Sequence, residues 1–143
     1  MSLSQTQIRE ILHNARVIAV VGLSKDIGKD SHRVAAYLQR HGYRIIPVNP
    51  TVEEVLVEKS YKSLLDIPTE VARQIDIVDV FRRSEDVPPI VQQVIELKAK
   101  LGKPSVVWLQ LGVVNEEAAE AARRAGLFVV MDKCLMVEHQ IFF

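Results

Sequence analysis

A single cysteine, Cys134, stands among the 143 residues. That scarcity rules out an intrachain disulfide framework and a CxxC zinc site, and it suits a reducing compartment. An excess of charge is missing too: 18 Lys+Arg face 18 Asp+Glu, a formal net charge of zero. Nucleic-acid surfaces need clustered positive charge to displace counterions, so no such partner is expected. A local basic pocket for a small anion is still permitted. Long apolar runs are lacking, and none approaches the roughly 20 residues of a membrane span. The first residues, Met1-Ser2-Leu3-Ser4-Gln5, have neither the basic stretch nor the apolar core of a signal peptide. The expectation is one domain over residues 1–143, cytoplasmic, with no membrane partner.

What is present is alternation. Five apolar runs, Val17–Val21, Ile45–Val48, Ile77–Phe81, Val106–Leu109 and Leu127–Met131, are rich in β-branched or aromatic residues and nearly continuous. Such runs are expected of strands covered on both faces. Pro47 lacks a ladder donor and favours an edge or a strand end. Amphipathic stretches lie between the runs. Ser4 and Gln7 form a capping-box pattern ahead of Ile8, Ile11 and Leu12. Val34, Ala35 and Leu38 share a face that ends near Gly42. Ser84 is read as the cap of a helix with Ile90, Val94, Leu97 and Leu101 on one face and Gly102 as its stop. Asn115 caps an alanine-rich helix that ends at Arg123 and Arg124. Residues 51–75 are irregular, with a turn and short helix near 61–68. Strand–helix repetition of this kind predicts an α/β fold: one Rossmann-like, doubly wound domain. Its mainly parallel, five-stranded sheet would carry helices on both faces.

Ligands of such sheets bind at the carboxyl ends of the strands, near the switch in strand order. Gly22 to Ser31 follows the first strand and precedes a helix, a natural anion site to which Lys25 and Lys29 add charge. Neither named phosphate fingerprint fits. Ser24 and Ile27 replace the second and third glycines of GxGxxG, and Asp30 follows Lys29 where a P-loop needs Ser or Thr. The second strand ends at Asn49-Pro50 without the acid that holds an NAD ribose. Asn49 can fix a turn or offer an amide to a ribose or base. Val80 and Phe81 can flank a flat adenine, Arg82 or Arg83 can reach a phosphate, and Gln110 and Gly112 close the fourth strand end.

Taken together, Val21-Gly22-Leu23-Ser24, Ser31-His32, Ile46–Pro50, Asp79–Arg83, Trp108–Gly112 and Met131–Cys134 closely resemble the stand-alone CoA-binding proteins. That family is related to the CoA-binding domain of succinyl-CoA synthetase. The resemblance covers nearly the whole chain. It implies coenzyme A, or an acyl-CoA, held through its ADP half with no attached catalytic domain. Gly22 and Ser24 would meet the pyrophosphate, Asn49 and Pro50 would border the nucleotide, and Val80 and Phe81 the adenine. Gln110 and Gly112 would form the far side. Three residues depart from the family: Ile27 where Pro is common, Lys29 where Arg is common and Val57 where Gly is frequent. Lys29 keeps the charge but loses the bidentate fork.

Catalytic groups are not identifiable. His13 and His41 read as helix-surface residues, His32 as structural, and Glu138-His139 as solvated near the C-terminus. Asp76, Asp79 and Asp132 read as turn or cap residues at strand borders. Cys134 reads as a small buried hydrophobe. The sharper alternative is that it exchanges with the CoA thiol, with Lys133 lowering its pKa. The apolar tail Gln140–Phe143 suggests a homodimer. The expected function is therefore a CoA-binding module: a carrier, buffer or regulator. The alternative is a small enzyme that uses NAD(P) or another adenine nucleotide, and a third reading is a subunit whose partner supplies catalysis.

Overall fold

The computed structural model describes residues 2–143. All five apolar runs are strands: β1 (Val17–Val21), β2 (Arg44–Val48), β5 (Ile77–Val80), β6 (Val106–Leu109) and β7 (Phe128–Met131). They form one parallel sheet in the order β2-β1-β5-β6-β7. β1 and β5 are buried along their whole length because both faces are covered. Pro47 sits on the edge strand β2, where a missing donor is tolerated, and its carbonyl accepts from the Tyr61 amide.

One face carries α1 (Gln5–Asn14), α2 (Asp30–Arg40) and α6 (Leu135–Phe142), packed on Ile18, Val20, Ile77 and Trp108. The other carries α4 (Val87–Leu101) and α5 (Glu116–Arg124), packed on Ala19, Val21, Val78, Val80 and Val107. The capping box is formed: Ser4 Oγ accepts from the Gln7 amide at 3.1 Å, and Gln7 Oε1 accepts from the Ser4 amide at 2.8 Å. Asn115 caps α5 at Ala118, and Ala118, Ala119 and Ala122 bring that helix close to the sheet. No helix of the described residues is long and apolar enough to cross a membrane.

Three local readings are corrected. Ser84 does not cap α4. It opens a short 3-10 turn (Ser84–Asp86), its hydroxyl accepts from the Val114 amide, and α4 starts at Val87 with prolines in its first turn. Glu138 and His139 are buried rather than solvated, because residues 135–142 form α6 and pack between α1 and α2. Asp79 is not a border residue but lies within β5, with no exposure at all. The irregular segment contains a hairpin, β3 (Glu54–Val55) and β4 (Glu58–Lys59), then a 3-10 turn and the four-residue α3 (Thr69–Ala72).

A crevice at the switch point

β1 leads outward to β2, and the chain then returns to place β5 on the other side of β1. The strand order therefore reverses between β1 and β5, and a ligand crevice is expected outside their carboxyl ends. A crevice of about 870 Å³ lies there, within the usual 300–1,000 Å³ of small-molecule sites. Gly22 ends β1 with φ of +87°, and a Cβ on it would stand 2.2 Å from the Phe81 carbonyl oxygen. Only glycine lets the ends of β1 and β5 meet in this way.

The β1–α2 loop is tied by its own side chains. Ser31 Oγ accepts from the Ser24 amide, Ser24 Oγ accepts from the Asp26 amide, and His32 Nδ1 lies 2.9 Å from the Ser24 carbonyl. These bonds fix Ser24 at the crevice and give His32 a bracing role. Lys29, which precedes α2, makes no side-chain cap, so the first-turn amides of an 11-residue helix are left to an anion.

The crevice lining is strongly charged. Lys29, Arg33, Arg82 and Arg83 line the crevice together with the carboxylates of Asp30 and Asp86. Arg33 pairs with Asp30, and Asp86 Oδ2 accepts from Arg83 at 3.1 Å and lies 3.5 Å from Arg82. Those two arginines hold the Asp86 carboxyl below the ordinary carboxylate range. Lys29 has no ion pair among the described residues. Apolar groups share the lining: Val34, Phe81, Val113, Met136 and Val137, with half-buried Cys134 among them. Cys134 thus faces the crevice instead of being enclosed in the core.

Of the residues singled out from sequence, Gly22, Ser24, Lys29, Phe81, Arg82 and Gln110 line this crevice. Lys25, Asn49, Pro50, Val80 and Gly112 do not. Asn49 is spent on the scaffold: its Nδ2 donates to the Leu23 carbonyl at 2.9 Å, and its Oδ1 accepts from the Thr51 amide and hydroxyl. Val80 is in the core beneath, and the Gly112 amide donates to Asp132 at 2.7 Å. Sequence reasoning missed Arg33, Val34, Met136 and Val137, which reach the crevice through the first turns of α2 and α6. Arg33 lies one helical turn beyond Lys29, which was a signal for it; Val34 was read only as part of the core-facing stripe of its helix, and α6 had no clear amphipathic signal.

A second cavity of about 350 Å³ lies at the opposite ends of the strands, against Asn14, Asp76, Lys103 and Phe128. Of its two carboxylates, Glu10 is exposed and Asp76 is already used. Asp76 accepts from the Arg16 and Val17 amides and from Lys103 Nζ, at 2.8, 3.0 and 2.5 Å. Burial pushes Asp76 upward, but these bonds keep its carboxyl below the ordinary range. It is a structural tie. Among the described residues no group of His, Cys, Asp and Glu is placed to hold a metal ion.

The family model described as "CoA binding domain" matches residues 16–140, from the start of β1 into α6. A Bacillus subtilis relative, "Uncharacterized protein YneT", is 44% identical over 138 residues, covering 96% of each chain. A Thermus thermophilus structure, "The structure of cell-free ID.343", superposes with a TM-score of 0.87 at 38% identity and covers 99% of this chain and 100% of its own. The "Acetate--CoA ligase [ADP-forming] I subunit alpha" of Pyrococcus furiosus is 29% identical over 136 residues. The match covers 85% of this chain and 28% of the ligase subunit.

Proposed function

Because the chain belongs to the CoA binding domain family, we propose that the crevice at the β1–β5 switch point holds coenzyme A through its ADP and pyrophosphate part, without catalysis. The observation that carries this reading is the mixed lining of the crevice: four cationic side chains together with apolar groups and a thiol. Coenzyme A carries the matching chemistry, a polyanionic nucleotide head and a long, largely uncharged thiol arm. In this reading Gly22 and Ser24 admit the pyrophosphate to the start of α2. Lys29 and Arg82 neutralise it, and Lys25 adds longer-range attraction. Phe81 lies against the adenine over the Val80 backbone. Asn49 and Pro50 border the nucleotide by shaping the loop beside Leu23, while Gln110 closes the far side and Gly112 shapes the turn behind it through its bond to Asp132.

Two observations support a binding role. The hydroxyl of Ser24 bonds to its own loop, and neither His13 nor His41 lines the crevice with it. An activated nucleophile needs a base within hydrogen-bond reach. Calorimetric titration with CoA, dephospho-CoA, ADP and NAD tests the reading. CoA is expected to bind tightest and NAD weakest; tight NAD binding without CoA binding overturns it. Alkylation of Cys134, the sole thiol, gives an independent footprint. CoA is expected to slow it, and an unchanged rate at saturating CoA places the ligand elsewhere.

A further inference from the structure

Asp79 is a carboxyl with no ordinary reason to be where it is. It occupies the middle of the sheet, on the β1-facing and β6-facing strand β5, opposite Val20 and Trp108. It is fully buried, and its Oδ2 has no hydrogen-bond partner among the described residues. A buried polar atom without a partner costs stability, so a carboxyl kept in such a place needs an explanation. Among the described residues its one side-chain hydrogen bond is at Oδ1, which accepts from Gln110 Nε2 at 2.8 Å. Gln110 stands at the end of β6 and lines the crevice.

An amide has two unlike ends. With the Nε2 end turned inward to Asp79, the end left over is the carbonyl oxygen. Gln110 Oε1 has no partner among the described residues, yet it is not among the atoms shut away from solvent without one. Gln110 as a whole is 3% exposed, so Oε1 is a narrowly accessible acceptor in the crevice wall. We propose that Asp79 is a positioning residue for the ligand: it holds the Gln110 amide with its carbonyl outward, so that the crevice reads a hydrogen-bond donor at that point. Phosphates at neutral pH carry almost no donors, so this contact recognises a different part of the ligand from the cationic side chains. The adenosine amine or hydroxyls supply such a donor, and so do the hydroxyl and amide N–H groups of the pantetheine arm. A leucine at position 79 would leave the amide free to turn, whereas asparagine keeps an acceptor for Nε2–H.

This inference rests on the reading of the crevice as a CoA site, and calorimetry on the full chain separates the two. Asp79→Leu is expected to weaken CoA binding about fivefold, the size of one ordinary hydrogen bond. Asp79→Asn is expected to restore affinity to within about twofold of the parent. In a Gln110→Leu background, itself weakened about fivefold, Asp79→Leu is expected to add nothing. ADP repeats the series: a loss seen with ADP assigns the donor to the adenosine, and a loss seen only with CoA assigns it to the arm. Equal affinity of Asp79→Leu and parent overturns the inference, as does failure of Asp79→Asn to restore binding. A further loss in the Gln110→Leu background overturns it as well. Should Asp79→Leu not fold, parent-like binding by Gln110→Leu alone overturns it. A parent chain that binds no CoA overturns the underlying reading and this inference with it.

Discussion

Gly22 and Val57 are two residues with positive φ and opposite consequences. At Gly22 the conformation is matched to the side chain, and the space a Cβ would need is occupied by the Phe81 carbonyl. Gly22→Ala is expected to cost about 2–4 kcal/mol, from left-handed strain plus displacement of β5 relative to β1. Chemical denaturation measures it, and a loss below about 1 kcal/mol would mean the two strand ends separate easily. Val57 is the reverse case. Leu56 and Val57 have φ of 56° and 63° at the tip of the β3–β4 hairpin, the two central positions of a turn that favours Asn-Gly. A β-branched residue there is strained, and Val57 is almost fully exposed, so it gains little packing in return. Val57→Gly is expected to stabilise the protein by about 0.5–1 kcal/mol, read from the denaturation midpoint. No change would show that the tip relaxes freely in solution.

α6 shows how far an element can matter without being legible. Its sequence, Leu135–Phe142, lacks a one-sided apolar stripe because the face it buries against α1, α2 and the sheet holds Glu138 and His139 beside Leu135, while the apolar Val137 and Ile141 are exposed. The strands and the longer helices were legible for the opposite reason. Burial on two faces leaves a continuous apolar run, and a helix with one wet side leaves a period. The crevice was legible where it is made by strand ends, at Gly22, Phe81 and Gln110. It was not where helices contribute through tertiary packing, at Met136 and Val137. Leu135 anchors α6 with no exposed surface, and Trp108 Nε1 donates to the Lys133 carbonyl just ahead of it. Leu135→Ala is expected to cost about 2–4 kcal/mol in stability. It is also expected to weaken CoA binding, because Cys134, Met136 and Val137 move with the helix. Full stability loss with unchanged CoA affinity would show that α6 does not shape the ligand.

Across the whole molecule, the formal net charge of zero conceals groups whose titration pulls stability in different directions. Asp76 is held below the ordinary carboxylate range, so its contribution is present near neutrality and fades as acid protonates it. His139 is also held low, by burial and then by the charge of His41; its contribution fades as pH falls through its depressed pKa and α6 takes on a buried charge. Asp79 acts the other way. Burial pushes its carboxyl up to about 8, with the Gln110 bond opposing the rise. The folded chain keeps this proton where the unfolded chain, with an ordinary carboxyl near 3.8, has lost it. Its contribution is thus fully present below about pH 4, declines as pH rises, and is exhausted above about pH 8. Comparing Asp79→Asn with the parent cancels the other groups, since the variant cannot ionise there. The variant's stability relative to the parent is expected to rise steadily from pH 5 to pH 8 and then level off. Urea denaturation across that range measures the difference. A difference that does not change with pH would mean that the Asp79 carboxyl ionises in the folded protein much as it does in water.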